Sequence, residues 1–137
     1  MRKIRELMTV RPRAVTTGAS VVDAAKLMKG EDSGIAPIVD DGRLVGVLTD
    51  RDIAVRVVAE GRDPASTRVE EIASTDLVTV GPQQDLDEAL TLMARHHVRR
   101  LPVVEKSGKL VGIVAQAVVA RHADAARAAE ADRQNAE

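Results

Sequence analysis

Thr49 and Asp52 stand three residues apart where the apolar run Leu44 to Leu48 gives way to a helical pattern, and that spacing can serve two kinds of chemistry. A helix starting after Thr49 aims unpaired N–H groups and the positive end of its dipole outward, which suits a phosphate. The Thr49 hydroxyl can donate to the same phosphate. One turn later the Asp52 carboxylate presents two oxygens, and each can accept a hydrogen bond from one hydroxyl of a ribose diol. The same two residues also make an ordinary helix start, with threonine as cap and an acid three places on. Ser20-Val21-Val22-Asp23 has that form with no ligand claim attached, so at this point both readings stand.

Other chemistries find little here. The chain has no cysteine, which removes thiolate nucleophiles, Cys-type zinc sites and disulfides, and points to an intracellular setting. His96 and His97 are adjacent, so on a helix end they diverge by about 100°, and His122 is far away in sequence. They read as solvated histidines and not as metal ligands. No Ser-His-Asp order and no Walker loop appears, and Gly42-Arg43-Leu44-Val45-Gly46 reads as a hairpin, not as a phosphate loop. Neither an enzyme nor a required cofactor is expected.

With 20 basic and 21 acidic residues among 137 and a net charge of -1, the chain shows no basic face for nucleic acid. No uncharged apolar run approaches the roughly 20 residues a bilayer requires, so a cytoplasmic protein without membrane contact is expected. Phe, Trp and Tyr are absent altogether, so a bound nucleobase would have to lie between aliphatic side chains.

The elements that must position Thr49 and Asp52 come from a duplication. Met28 falls on Met93 at an offset of 65 residues, and the same offset carries Leu7 onto Ile72, Val15 onto Val80, Val21 onto Leu86, Ala24 onto Ala89 and Pro37 onto Pro102. After one inserted residue, Ser107, Gly42-Arg43-Leu44-Val45-Gly46-Val47 falls on Gly108-Lys109-Leu110-Val111-Gly112-Ile113. Each half, about 60 residues, is too small to bury much apolar surface alone, so the halves are expected to pack on each other.

Within the first half, Ser20 caps a helix that carries Val21, Ala24, Ala25 and Met28 on one stripe and is expected to stop at Gly30; its counterpart runs from Asp85. Strands follow at Ile35 to Val39 and Leu44 to Leu48, joined by Asp40-Asp41-Gly42, and a second helix runs from about Asp50 to Gly61. With a short leading helix at Arg5 to Met8, each half reads strand, helix, strand, strand, helix. The fold class is α/β, a duplicated β-α-β-β-α motif, with a right-handed crossover between the first two strands. The divisions expected are 3–61 for the first motif, 62–68 for a linker, 69–122 for the second motif and 123–137 for a charged, Ala-rich tail that frays as a solvated helix.

Leu7-Met8-Thr9, the strands Ala36-Pro37-Ile38-Val39 and Leu101-Pro102-Val103-Val104, and the string Gly46-Val47-Leu48-Thr49-Asp50-Arg51-Asp52 resemble the cystathionine-β-synthase (CBS) motif. The resemblance covers about residues 3 to 122. It implies a Bateman module: two motifs paired about a pseudo-twofold axis with two clefts between them, usually dimerised into a flat disk. The strings Leu-Thr-Asp-Arg-Asp-Ile and Val-Arg-Arg are similar to those of stand-alone bacterial CBS pairs, including the hypoxic-response type of actinobacteria. With no enzyme or channel domain in the chain, its unidentified protein target would be reached in trans.

The family's ligand signature, Gly-h-x-Thr/Ser-x-x-Asp with h apolar, falls on Gly46, Thr49 and Asp52, with Arg51 in the same string. The second motif has Gly112, Ala115 and Val118 instead, which leaves its cleft without the hydroxyl and the carboxylate. The resemblance further implies that the cleft holding Asp52 is completed by the residues two and three places before the second motif's strand proline, Arg100 and Arg99, whose guanidinium forks suit phosphate. Adjacent strand residues face opposite ways, so both reach one phosphate only if the chain turns irregularly into the strand. At the matching positions of the other cleft, Gly34 and Ile35 are uncharged. Adenine would lie against Val47, Leu77, Val78 and Pro102. The arginines could equally pair with acids at an interface.

The expected function is therefore a regulatory module for AMP, ADP, ATP or a related adenosyl ligand such as S-adenosylmethionine or NAD(H), held in one cleft of a homodimer. The alternative is a ligand-free dimeric interaction protein of the stress-response kind.

Overall fold

The computed structural model describes residues 2–124, so the tail expected over 123–137 lies outside the described residues from 125 onward. The elements in chain order are β1 (Thr9–Val10), β2 (Val15–Thr16), α1 (Val21–Glu31), β3 (Ile35–Asp40), β4 (Arg43–Thr49), α2 (Asp50–Ile53), α3 (Val69–Ile72), α4 (Leu86–His96), β5 (Arg100–Val104) and β6 (Leu110–Ala115). α2 continues without a break into a π-helical turn, Ala54–Val58, and residues 116–124 are helical.

The chain folds as two compact units, and neither coincides with a sequence half. Within the described residues, one comprises 2–10, 78–105 and 111–124; the other comprises Arg11–Leu77 and Lys106–Leu110. The repeat explains the exchange. Ile4, which leads the first motif, is buried in the core with Val80, Leu86, Ala89, Met93, Leu101, Val103, Val114 and Val119. Its repeat partner Val69 lies with Ile72 in the other core, among Val21, Ala24, Leu27, Met28, Ala36, Ile38, Leu48 and Val57. Each motif thus lends its leading segment to the other's core, which a unit of about 60 residues needs in order to bury enough apolar surface.

In the unit carrying Arg11–Leu77 the sheet order is β2-β3-β4. β2 pairs parallel with β3 across α1, which is the expected β-α-β crossover, and β3 pairs antiparallel with β4. The hairpin turn is tight because Asp41 and Gly42 both take positive φ, 53° and 79°. Edge residue Val47 exchanges backbone hydrogen bonds with Ser74, 3.1 Å each way. In the other unit the order is β1-β6-β5, with β1 and β6 antiparallel and Val80 bridging Val103 in parallel. The same pairings occur in both units, as the duplication requires.

β2, β3, β4, β5, β6, α1 and α4 stand where the periodicities put them. The second half's first strand is only the bridge of Val80 to Val103, β1 was not expected, and the helix expected from Asp50 to Gly61 turns π-helical at Ala54 and ends at Val58. α1 passes through Gly30 and ends where Asp32 takes the left-handed conformation at φ 49°, so the stop comes two residues later than the glycine suggests. The leading helix of Arg5 to Met8 is a single 3-10 turn, Ile4–Glu6. The segment expected as a linker docks on the start of α1: the N–H of Val21 donates to the Thr67 carbonyl (2.9 Å) and that of Val69 to the Ala19 carbonyl (2.8 Å). Glu71 takes N–H and guanidinium donors from Arg68 (2.6 Å) and Arg62 (2.8 Å) at the start of α3, and the Arg68 bond holds its carboxyl below the usual range.

Candidate functional site

β4 alternates. Leu44, Gly46 and Leu48 face inward and are buried, while Val45, Val47 and Thr49 share the outer face. Thr49 ends the strand in extended conformation, φ -107° and ψ 161°, and caps α2. Its Oγ1 accepts from the Asp52 N–H at 3.0 Å, and Asp52 Oδ2 accepts from the Thr49 N–H at 2.9 Å. The helix-start chemistry of the pair is therefore real. It leaves capacity, however: the Thr49 hydroxyl hydrogen is not used by the cap, and each Asp52 oxygen has a second lone pair.

Asp52 Oδ1 faces Arg56, whose Nε stands 3.9 Å away, an ion-pair distance beyond hydrogen-bond reach. The Asp52 side chain keeps only 17% of its exposure. Arg56 is also anchored elsewhere, through Nη1 donating to the Ile72 carbonyl at 2.9 Å. Reading the string residue by residue missed Arg56; the signal was its place four residues beyond Asp52, one turn along the same helix face. Arg51, on the same turn, is exposed, and Val47 and Leu77 are half-buried in the same unit.

The remaining candidates lie in the other unit. Arg99 is exposed in a bend before β5, where its carbonyl accepts the Gln116 N–H at 2.7 Å, and Arg100 opens the strand half-buried. The chain therefore enters β5 through a bend at Arg99 and not as regular strand. Pro102 is buried two residues on, its carbonyl accepting the Val80 N–H at 3.1 Å, and Val78 packs at the edge of that core. The structure brings Val47, Thr49, Arg51, Asp52 and Leu77 into one unit and Val78, Arg99, Arg100 and Pro102 into the other.

The second motif repeats the frame without the chemistry. Gln116 N–H donates to the Arg99 carbonyl as Asp50 N–H donates to that of Gly34 (2.9 Å), so the helices start alike. Ala115 and Val118, in the places of Thr49 and Asp52, have no side-chain donor or acceptor to offer. Among the described residues no group of three or more His, Asp or Glu side chains is placed to hold a metal, and no helix is long and apolar enough to cross a membrane. A depression along α4 is lined by Gln84, Asp87, Glu88, Thr91 and Leu92, an acidic rim that disfavours phosphate.

Comparison with known proteins agrees with this frame. The CBS-domain family model matches residues 4–59 and 69–123. The CBS domain-containing protein YhcV of Bacillus subtilis is 45% identical over 115 residues, 84% of this chain and 81% of that protein. Hypoxic response protein 1 of Mycobacterium tuberculosis is 38% identical over 123 residues, 89% of this chain and 85% of its own length. A crystal structure of Hypoxic Response Protein I with two coordinated zinc ions superposes with TM-score 0.81 at 38% identity, covering 88% of this chain and 98% of that one. CBSX2 in complex with AMP gives TM-score 0.78 at 27% identity over 93% and 99% of the two chains. The CBS domain pair of MJ0100, in complex with 5′-methylthioadenosine and S-adenosyl-L-methionine, gives 0.80 at 25% identity over 91% and 98%.

Proposed function

This chain belongs to the CBS-domain family as a tandem pair, and from that premise we propose that it is a non-catalytic, cytoplasmic regulatory module. It senses an adenosyl ligand, AMP, ADP, ATP or a relative, and acts in trans as a homodimer. In this reading Thr49, Arg100, Arg99 and Arg51 are the phosphate-binding candidates, Asp52 the acceptor for the ribose hydroxyls, and Val47, Leu77, Val78 and Pro102 the candidates for contact with the base. The observation that carries this reading is the Thr49–Asp52 pair at the end of β4. Its capping bonds leave a hydroxyl donor and carboxylate acceptors unspent, whereas the second motif has Ala115 and Val118. Similar structures solved in complex with AMP and with S-adenosyl-L-methionine support this choice of ligand class.

A second reading has its own support. The capping box by itself accounts for Thr49 and Asp52, and Val55 and Val58 on the following turn remain 49% and 71% exposed, as a helix-face contact in a ligand-free interaction protein would require.

Thermal melts with AMP, ADP, ATP and S-adenosylmethionine separate the two. Ligand at 100 times its dissociation constant adds about 2.7 kcal/mol, a shift on the order of 10 °C for a chain of this size. Asp52→Asn keeps an acceptor for the Thr49 N–H and removes the carboxylate charge. It is expected to leave the unliganded melting temperature within a few degrees and to lose most of the ligand shift. A melt that no adenosyl compound moves sinks the sensor reading in favour of the interaction protein.

A further inference from the structure

We propose that Arg56 is a positioning residue for ribose recognition, an inference that rests on the adenosyl reading and concerns how Asp52 is held. Two oxygens of one carboxylate can meet two neighbouring hydroxyls only if the carboxylate plane is fixed and its lone pairs are open. At Oδ2 the plane is fixed by the Thr49 N–H at 2.9 Å. At Oδ1 the nearby group is the Arg56 guanidinium, with Nε at 3.9 Å. That distance lets positive charge steer the oxygen without occupying its lone pairs.

What keeps the guanidinium at that distance is a need of another element. Ile72 is the last residue of α3, and the terminal carbonyls of a helix lack partners within it. Arg56 Nη1 donates to the Ile72 carbonyl at 2.9 Å, so one arm of the fork is tethered there while Nε stays at ion-pair distance from Asp52. The tether also reaches the candidate base wall. Two residues past Ile72, Ser74 exchanges both backbone bonds with Val47, and Leu77 follows on the same segment. Arg56 thus couples the carboxylate that reads the sugar to the strand and segment that carry two of the apolar wall residues.

The test is the ratio of affinities for AMP and for its 2′-deoxy and 3′-deoxy analogues, measured by calorimetry on wild type, Arg56→Gln and Arg56→Lys. A hydrogen bond to a charged group separates such ligands by about tenfold or more, so wild type is expected to prefer AMP by that factor. Arg56→Gln is expected to bring the ratio to about threefold or less by weakening AMP more than either analogue. Arg56→Lys, which keeps the charge but not the fork, recovers part of it. A purely structural Arg56 would weaken all three nucleotides alike and leave the ratio at its wild-type value, which overturns the proposal. A wild type that binds AMP without preferring it over the deoxy forms also overturns it while nucleotide binding stands. Should wild type bind none of them, the adenosyl reading itself falls and takes this inference with it.

Discussion

A threonine hydroxyl can accept through its lone pairs and donate through its one hydrogen, and the cap of α2 uses only an accepting capacity of Thr49. Cap and phosphate donor are therefore compatible roles, and substitutions separate them. Thr49→Val, of nearly the same shape, is expected to cost about 1 kcal/mol through the lost cap and to weaken AMP more than adenosine. Thr49→Ser is expected to restore both. Denaturant midpoints read the first effect and paired titrations the second; equal weakening of AMP and adenosine would remove Thr49 from the phosphate site. The cap made by Thr49 and Asp52 was legible in the sequence, and the proposed ligand chemistry reads from the same spacing. The spacing of four put Arg56 beside Asp52, but its tether to the Ile72 carbonyl, sixteen residues away in sequence and adjacent only in the fold, was not legible.

At the scale of elements, the repeat makes Gly46 and Gly112 equivalent, yet their surroundings differ. A Cβ at Gly46 would meet nothing nearer than 3.4 Å, whereas at Gly112 it would stand 2.5 Å from Met8 Sδ and 3.0 Å from the Thr9 carbonyl oxygen of β1. Met8 can swing aside, but the backbone of β1 cannot without losing its pairing to β6. Gly112→Ala is expected to destabilise by about 1–3 kcal/mol and Gly46→Ala by clearly less, as urea midpoints would show; the reverse order would contradict the packing described. β3, β4, their hairpin, α1 and α4 were readable because apolar period and turn chemistry agree at each of them, whereas the two-residue β1 is too short to show a period. The end of α1 was not, because Asp32 takes the left-handed conformation that Gly30 could have supplied more easily. The π-helical turn at Ala54–Val58 has no sequence signal; it shows in the Ala59 N–H to Ala54 carbonyl bond of 2.9 Å.

For the whole molecule, the duplication foretold two similar bodies but not their exchange of leading segments. That exchange depends on which core Ile4 and Val69 enter, and the two residues are interchangeable in an apolar pattern. The two motifs share one frame, and only the first carries a hydroxyl and a carboxylate at the end of its third strand, so the proposed site is one per chain. Because the chain has no Phe, Trp or Tyr, it has almost no absorbance at 280 nm, and a purified sample with a 260 nm band would already be carrying nucleotide. The decisive measurement is calorimetric titration of AMP into nucleotide-free protein, wild type and Asp52→Asn. The expected result is saturation at one AMP per chain, with binding lost in Asp52→Asn. Two equivalent sites per chain, binding unchanged in Asp52→Asn, or no binding of AMP or any other adenosyl compound would contradict it.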